Sequence, residues 1–358
     1  MVPQPGITLT GAGDPASLPD CGAVYLIVPR EGRTYLGRTG ILRRRMMRLW
    51  EKWKLAEIAQ RVEIWPAASR LEQWMLSYAL GRREFPDDYD RVLRLGKPPY
   101  VRLTLANRFP RAQVTSRLGG ASSTYFGPFP SRAAADTFEN ELLDLYQLRR
   151  CQEDLIPALD HPGCIYGEMN RCLRPCQEAV SAGEYGSEAM RVNDFLATRG
   201  ASLLEQTGAS RDRYSEQLLF EEAARQHARY QKIEQVCRSA GDLARDVTRL
   251  QGVAVTASLN SDTVFLWFVR NGAWLGREAF SVAAVAGKPV PLDARLREIV
   301  SGLAEPSLTA GERQEHLALL AKWFYSSWRD GEWLAIESWD AVPYRRLVNA
   351  IHRVARAG

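Results

Sequence analysis

Four cysteines, Cys151, Cys164, Cys172 and Cys176, follow one another as Cys-x12-Cys-x7-Cys-x3-Cys. Four thiolates in one short segment can surround a single metal centre, and zinc and an iron–sulfur cluster both accept that donor set without demanding this spacing. The start of the chain lacks the basic and apolar pattern of an export signal, so the thiols are expected to be reduced, in a cytoplasmic setting, rather than paired as disulfides. Cys21 and Cys237 lie apart from the four and read as small apolar residues. No run of about 18 apolar residues suggests a membrane span.

A second chemical signal is charge. The formal net charge is only +5, yet Arg30, Arg33, Arg38, Arg43, Arg44, Arg45, Arg48, Lys52 and Lys54 crowd one stretch against Glu31 and Glu51. Such a cluster suits a phosphate backbone, and it also suits a solvated helix face. Beside it, Tyr25 and Tyr35 sit on two successive β-prone runs, where a cross-strand aromatic pair would stabilise a hairpin.

The elements that must position these residues follow from pattern. With 358 residues and 46% hydrophobic content, the chain can bury two or three separate cores. Residues 1–20 are Pro/Gly-rich and expected to be mobile. Ala23–Val28 and Thr34–Gly37 read as a hairpin, Leu42, Met46, Leu49 and Trp53 recur at helical period, and a strand at Val62–Trp65 precedes a helix at Ser69–Arg83. This β-β-α-β-α order defines a first unit at 21–95, ending in a polar connector from Glu84 to Pro99. Strand-like runs at Tyr100–Leu105 and Ala112–Ser116, a helix near Ala133–Leu148 and the cysteines form a second unit, 96–180. Residues 181–245 read as helical, with breaks at Thr198–Ser202 and Thr207–Ser210. Three strands, near 253–258, 263–270 and 274–280, open an α/β unit at 250–358, and helices near 292–303 and 312–325 close it. The expected class is α+β overall.

Ala23-Val24-Tyr25, Tyr35-Leu36-Gly37 and Arg45 resemble the GIY-YIG nuclease motif. Pro99-Tyr100-Val101-Arg102-Leu103, the Tyr125-Phe126-Gly127-Pro128 turn, the cysteine block and a later helix follow in the order found in the UvrC and Cho excinuclease subunits, so the resemblance runs from about residue 22 to 280. It implies a soluble repair endonuclease that cuts 3′ to damage in double-stranded DNA already marked by UvrB, with no membrane partner. Tyr25 and Tyr35 would order and deprotonate the attacking water, Arg45 would grip the scissile phosphate, and Arg38, Arg43, Arg44 and Arg48 would hold flanking backbone. The cysteine block would carry a [4Fe-4S] cluster, zinc being the alternative, and Arg149, Arg150, Arg171 and Arg174 would give that surface a positive cast. Leu218–Arg225 and the helix beyond resemble the UVR motif that joins UvrB and UvrC, with Phe220, Ala223, Ala224, Tyr230 and Ile233 as the docking residues. As a bare pattern, the same apolar spacing fits a core helix. Val264–Gly272 and Leu275-Gly276-Arg277 resemble the entry to a partial RNase H-like domain, in which Glu337 and Asp340 do not make a two-metal set.

The resemblance departs at one position that matters. Ser77 stands where the family carries the glutamate that holds magnesium or manganese, and Tyr89 or Asp90 stands where it carries an asparagine. A hydroxyl is a poor ligand for such a cation beside a carboxylate. Glu72 points well off the Ser77 direction, and Glu84 returns close to that face two turns on; neither is a convincing substitute. The leading expectation from the sequence is therefore a metal-dependent endonuclease, and the alternative is a non-incising adaptor that binds DNA and UvrB. A redox-responsive regulator, resting on the cysteines alone, ranks third.

Overall fold

The computed structural model describes residues 3–10, 13–119, 122–283 and 291–357. The first unit is a four-stranded antiparallel sheet, β1 (Ile7–Leu9), β2 (Gly22–Pro29), β3 (Tyr35–Thr39) and β4 (Ala59–Ala67), in the order β1-β4-β2-β3. Helices α1 (Leu42–Trp53) and α2 (Leu55–Ile58) cover one face, and α3 (Arg70–Glu84) covers the other, followed by the short α4 (Tyr89–Leu93). Strand alternation sorts the core: Ala23, Tyr25 and Ile27 pack with Leu42, Met46 and Leu49, while Val24 and Leu26 pack with Leu76 and Leu80.

Of the N-terminal residues expected to be mobile, several described ones are instead tied down. Ile7, Thr8 and Leu9 pair with Ile64, Glu63 and Val62, the Trp65 indole donates to the Pro3 carbonyl, and Leu18 is buried. A three-residue edge strand carries too little pattern to be read from sequence; its hydrogen bonds come from β4.

The second unit holds β5 (Tyr100–Thr104), β6 (Ala112–Thr115) and β7 (Ser123–Gly127), then α5 (Arg132–Leu143), the short α6 (Ile165–Glu168), α7 (Ala182–Thr198), α8 (Ala201–Glu216) and α9 (Phe220–Ser239). Its sheet is completed by β8 (Arg245–Asp246), giving the order β6-β5-β7-β8. One core runs through sheet and helices, from Phe126 and Phe138 to Tyr185, Phe195, Ile233 and Val236. The units expected at 96–180 and 181–245 are thus one packed body. The expected break at Thr207–Ser210 lies inside α8, where Thr207 is buried and Gly208 faces the Tyr230 ring of α9. The chain turns later, at 217–219.

The third unit contains β9 (Gly252–Ala257), β10 (Thr263–Arg270), β11 (Ala273–Ser281), α10 (Leu292–Ser301), α11 (Ala310–Phe324), β12 (Glu332–Ala335) and α12 (Tyr344–Ala357). Its strands, ordered β11-β10-β9-β12, are antiparallel throughout, so it is an α+β unit and not the α/β unit expected. A shared core, with Leu71 of α3, Tyr100, Tyr125, Trp267, Leu320 and Trp323, joins all three units.

Candidate nuclease-type and cysteine sites

Tyr25 and Tyr35 lie on adjacent strands of the sheet face that carries α1. Their ring centroids are 6.2 Å apart, and the Arg45 Nε donates to the Tyr25 hydroxyl over 3.0 Å. Tyr25 is fully buried, whereas Tyr35 is 51% exposed, so the cluster reaches solvent through Tyr35 and the partly covered Arg45. Gly37 makes this possible: opposite Tyr25 in register, a Cβ there would lie 2.3 Å from the Tyr25 ring. Burial holds the Tyr25 phenol above its usual range, opposed by the hydrogen bond from Arg45, which in turn raises the Arg45 guanidinium. A protonated phenol beside a cation can orient a phosphate or a water by hydrogen bonding; losing its proton is disfavoured in that setting.

The carboxylate side of the site is missing. Ser77, in α3 on the opposite sheet face, is buried, and its hydroxyl donates to the Gln73 carbonyl over 2.7 Å. Glu72 is also buried and is committed elsewhere: it accepts from the backbone of Ala68 at 3.1 Å and pairs with Arg277 of β11. Burial keeps the Glu72 carboxyl above its usual range, partly offset by Arg277. Glu84 pairs with Arg83 at 2.6 Å, and Tyr89 donates to Glu315 of α11. Asp90 caps the backbone of Arg91. Among the described residues no group of three or more His, Cys, Asp or Glu side chains is gathered as a metal would require.

The arginines expected to bind DNA divide. Arg44 and Arg48 are exposed on α1, lining a shallow depression with Met47 and the carboxylates Asp20 and Glu51. Arg43 lines it too, but its Nε donates to the Leu18 carbonyl at 2.7 Å and so also anchors the N-terminal turn. Arg38 is a correction in placement only: strand alternation turns it to the α3 face, where its exposed side chain covers the Trp74 ring with the guanidinium 3.2 Å from the centroid.

The cysteine segment wraps the second unit. Cys172 and Cys176 are buried, Cys151 is half-buried and Cys164 is exposed at the start of α6. They lie near enough that Cys151, Cys164 and Cys176 each raise the Cys172 thiol, which burial chiefly pushes up to about 11. The backbone N–H of Arg174 donates to the Cys172 sulfur at 3.4 Å, and Arg149 reaches the Cys151 sulfur at 3.6 Å. Donors of this kind suit thiolate ligands, and the chemistry of the set fits a thiolate-bound metal; holding one requires the loop to draw the sulfurs closer. The positive surface expected here is largely absent. Arg149 is buried and bonded to the Phe109 and Glu153 carbonyls, and Arg150 and Arg171 both pair with Asp144; Arg174 stays exposed.

On the helical hairpin α8–α9, Phe220 is 64% exposed, together with Leu218 and Leu219 at the tip. Ala224 is exposed, Ala223 is half-covered, and Tyr230 lies under Arg211 with 5.6 Å to the ring centroid. Ile233 is a second correction, since it is fully buried in the core of the second unit and offers nothing to a partner.

The family profile for the UvrC/Cho excinuclease middle domain matches residues 98–195. The chain is similar to UvrABC system protein C of Ruminiclostridium cellulolyticum, 27% identical over 74% of this chain and 44% of that protein. Its counterpart in Symbiobacterium thermophilum is 30% identical over 74% of this chain and 43% of that one, and in Sphingopyxis alaskensis 26% identical over 85% and 49%. The chain therefore spans less than half the length of these curated relatives. No solved structure matches it. Residues 98–195 thus carry the UvrC/Cho excinuclease middle domain, and about three-quarters of the chain is similar to UvrABC system protein C.

Proposed function

We propose that this chain serves nucleotide excision repair as a non-incising adaptor, binding double-stranded DNA and a UvrB-like protein through a nuclease-type scaffold. One observation carries the reading: Tyr25, Tyr35 and Arg45 converge, but among the described residues neither position expected to serve the metal joins them, since Ser77 is buried and satisfied and Glu72 is spent on Arg277. Arg45, Arg44 and Arg48 supply cations for backbone phosphates, which gives affinity without sequence choice. Phosphodiester hydrolysis also needs charge on the phosphoryl and leaving oxygens to be neutralised, usually by a divalent ion, and among the described residues no group of three or more carboxylate, imidazole or thiol side chains is gathered for one. The exposed Leu218, Leu219 and Phe220 at the hairpin tip are the surface offered to the UvrB-like partner. A thiolate-bound cluster, [4Fe-4S] rather than zinc, would sit at Cys151, Cys164, Cys172 and Cys176, pinning a loop poor in core contacts.

The rival reading, a magnesium- or manganese-dependent endonuclease, is favoured by the Arg45–Tyr25 hydrogen bond and the exposed Tyr35 hydroxyl. The two separate in one assay: purified protein with UvrB and either cation on a lesion-bearing duplex. The adaptor binds and leaves the duplex intact. Nicking by the wild type that Tyr35→Phe abolishes would overturn it.

A further inference from the structure

Outside the tyrosine site, a cavity of about 570 Å³ opens where the 94–99 connector, the Phe129–Pro130 turn and the end of α11 meet. Its wall carries Arg94, Lys97 and Lys322, and Trp328 stands at its mouth, 67% exposed. None of these cations has a carboxylate partner among the described residues. The positive charge extends beyond the cavity. Lys322 approaches the Trp74 ring to 4.0 Å from one side of the interface, Arg38 covers the same ring, and Arg70 lies over Trp328 at 5.1 Å. These groups come from the first unit, the third unit and the connector after α4, and they repel one another: Arg38 and Lys322 each lose proton affinity through burial first and through a neighbouring cation second. The one carboxylate beside Trp328 in sequence, Asp330, is occupied by the backbone of Arg70 and the indole of Trp323.

The cavity's own lining holds no acid, although Lys97 also borders a neighbouring depression that carries Asp87, Asp90 and Glu315, and Lys322 donates to the Arg94 carbonyl at 3.0 Å. Cations on such a wall, next to an indole face left in water, match one class of ligand. An anion alone would need no exposed aromatic, and an apolar ligand would need no cations. A flexible polyanion with flat, unstacked rings uses both. We propose that this cavity binds single-stranded DNA, with backbone phosphates on Arg94, Lys97 and Lys322 and a base stacked on Trp328. The proposal rests on reading the chain as a DNA-binding protein. It assigns the opened strand to this face and intact duplex to the arginines of α1, on the other side of the first sheet.

Anisotropy of a labelled oligothymidine and of a duplex of equal length tests it with the full chain. Arg94, Lys97 and Trp328 are exposed, so Trp328→Ala and the double variant Arg94→Gln/Lys97→Gln leave the core untouched. Trp328→Ala is expected to weaken oligothymidine binding about tenfold or more, with duplex affinity changed by less than about twofold. The double variant should lower the log–log salt slope for the single strand by about 1.4. Single-strand affinity unchanged in both variants, no oligothymidine binding by the wild type, or equal losses on both DNAs would each overturn the inference. If the wild type binds oligothymidine through Trp328 yet ignores duplex, the inference stands and the duplex-binding adaptor reading falls.

Discussion

Arg277, on the third strand of the last sheet, donates to the carboxylate of Glu72 on helix α3 of the first unit. The pair closes a chemical option. Glu72 is the carboxylate that sequence places nearest the vacant ligand position, and the fold has turned it into a fastener between units. The same helix is held by Tyr78, whose hydroxyl donates to Glu315 at 2.6 Å, and by the contact of Leu71 with the shared core.

Cutting this fastener from one side should cost more than removing it whole. Arg277→Met leaves a buried charge without its partner, and with Arg277 itself a third exposed the loss should be about 3 kcal/mol, the low end for buried pairs. Adding Glu72→Gln should recover much of it. Denaturant midpoints of both variants check this, and equal midpoints for Arg277→Met and wild type would show that the pair does not join the units.

His316 gives the fold an acid limit. It is half-buried in α11 against Tyr78, and its Nδ1 accepts from the Trp274 backbone at 3.0 Å, which keeps the ring neutral with its proton on Nε2. Burial pushes its pKa down to about 4. The unfolded chain takes up that proton near pH 6.5 and the folded chain does not, so stability is full above about 6.5 and falls as pH drops toward 4. The loss should reach roughly 3 kcal/mol. Melting curves between those pH values should flatten in His316→Gln; an identical slope would assign the acid sensitivity to other groups.

Gly37→Ala tests the tyrosine cluster by steric means. The added methyl meets a fully buried ring, so Tyr25 must leave its place, at a cost of about 1–3 kcal/mol. Thermal denaturation should show that loss together with weaker duplex binding, because Arg45 loses the phenol that orients it. Unaltered stability would mean that the strands part easily there.

The α1 arginines should not be interchangeable. Arg44→Gln with Arg48→Gln should lower the log–log salt slope of duplex binding by about 1.8 and leave stability alone. Arg43→Gln should lower the slope by less than its share and also loosen the N-terminal turn that it ties at Leu18. A slope that is the same in the double variant and the wild type would place the duplex elsewhere.

For the cysteines, anaerobic protein should contain iron and sulfide in equal amounts, and Cys172→Ser should remove both while lowering thermal stability. Zinc without sulfide would assign the alternative metal. Neither metal, with melting unmoved in Cys172→Ser, would leave four ordinary thiols.

What the sequence disclosed was local. The hairpin, α1 and α3 declare themselves through period, and the four cysteines through proximity along the chain. Placement by strand alternation was legible for Tyr25, Tyr35 and Gly37, and the same rule, applied to Arg38, would have turned it away from the tyrosines. Ile233 has the spacing of a docking residue and the burial of a core residue, a difference set by α5 and α7, which contribute to the core around it. Residues joined across long stretches stayed hidden. Arg277 lies 205 positions from Glu72 and Glu315 lies 237 from Tyr78, and no local pattern marks either partner.

β8 has one more consequence. Its two residues pair with Phe126 and Gly127, yet the ribosome delivers them after all of α7, α8 and α9. Until Arg245 and Asp246 emerge, β7 keeps an open flank, so the middle body stays unfinished through more than a hundred residues of synthesis while the first sheet can already be complete. Nascent chains of this protein therefore carry a prolonged window in which that flank can pair with a stranger, and the helical hairpin must form inside it.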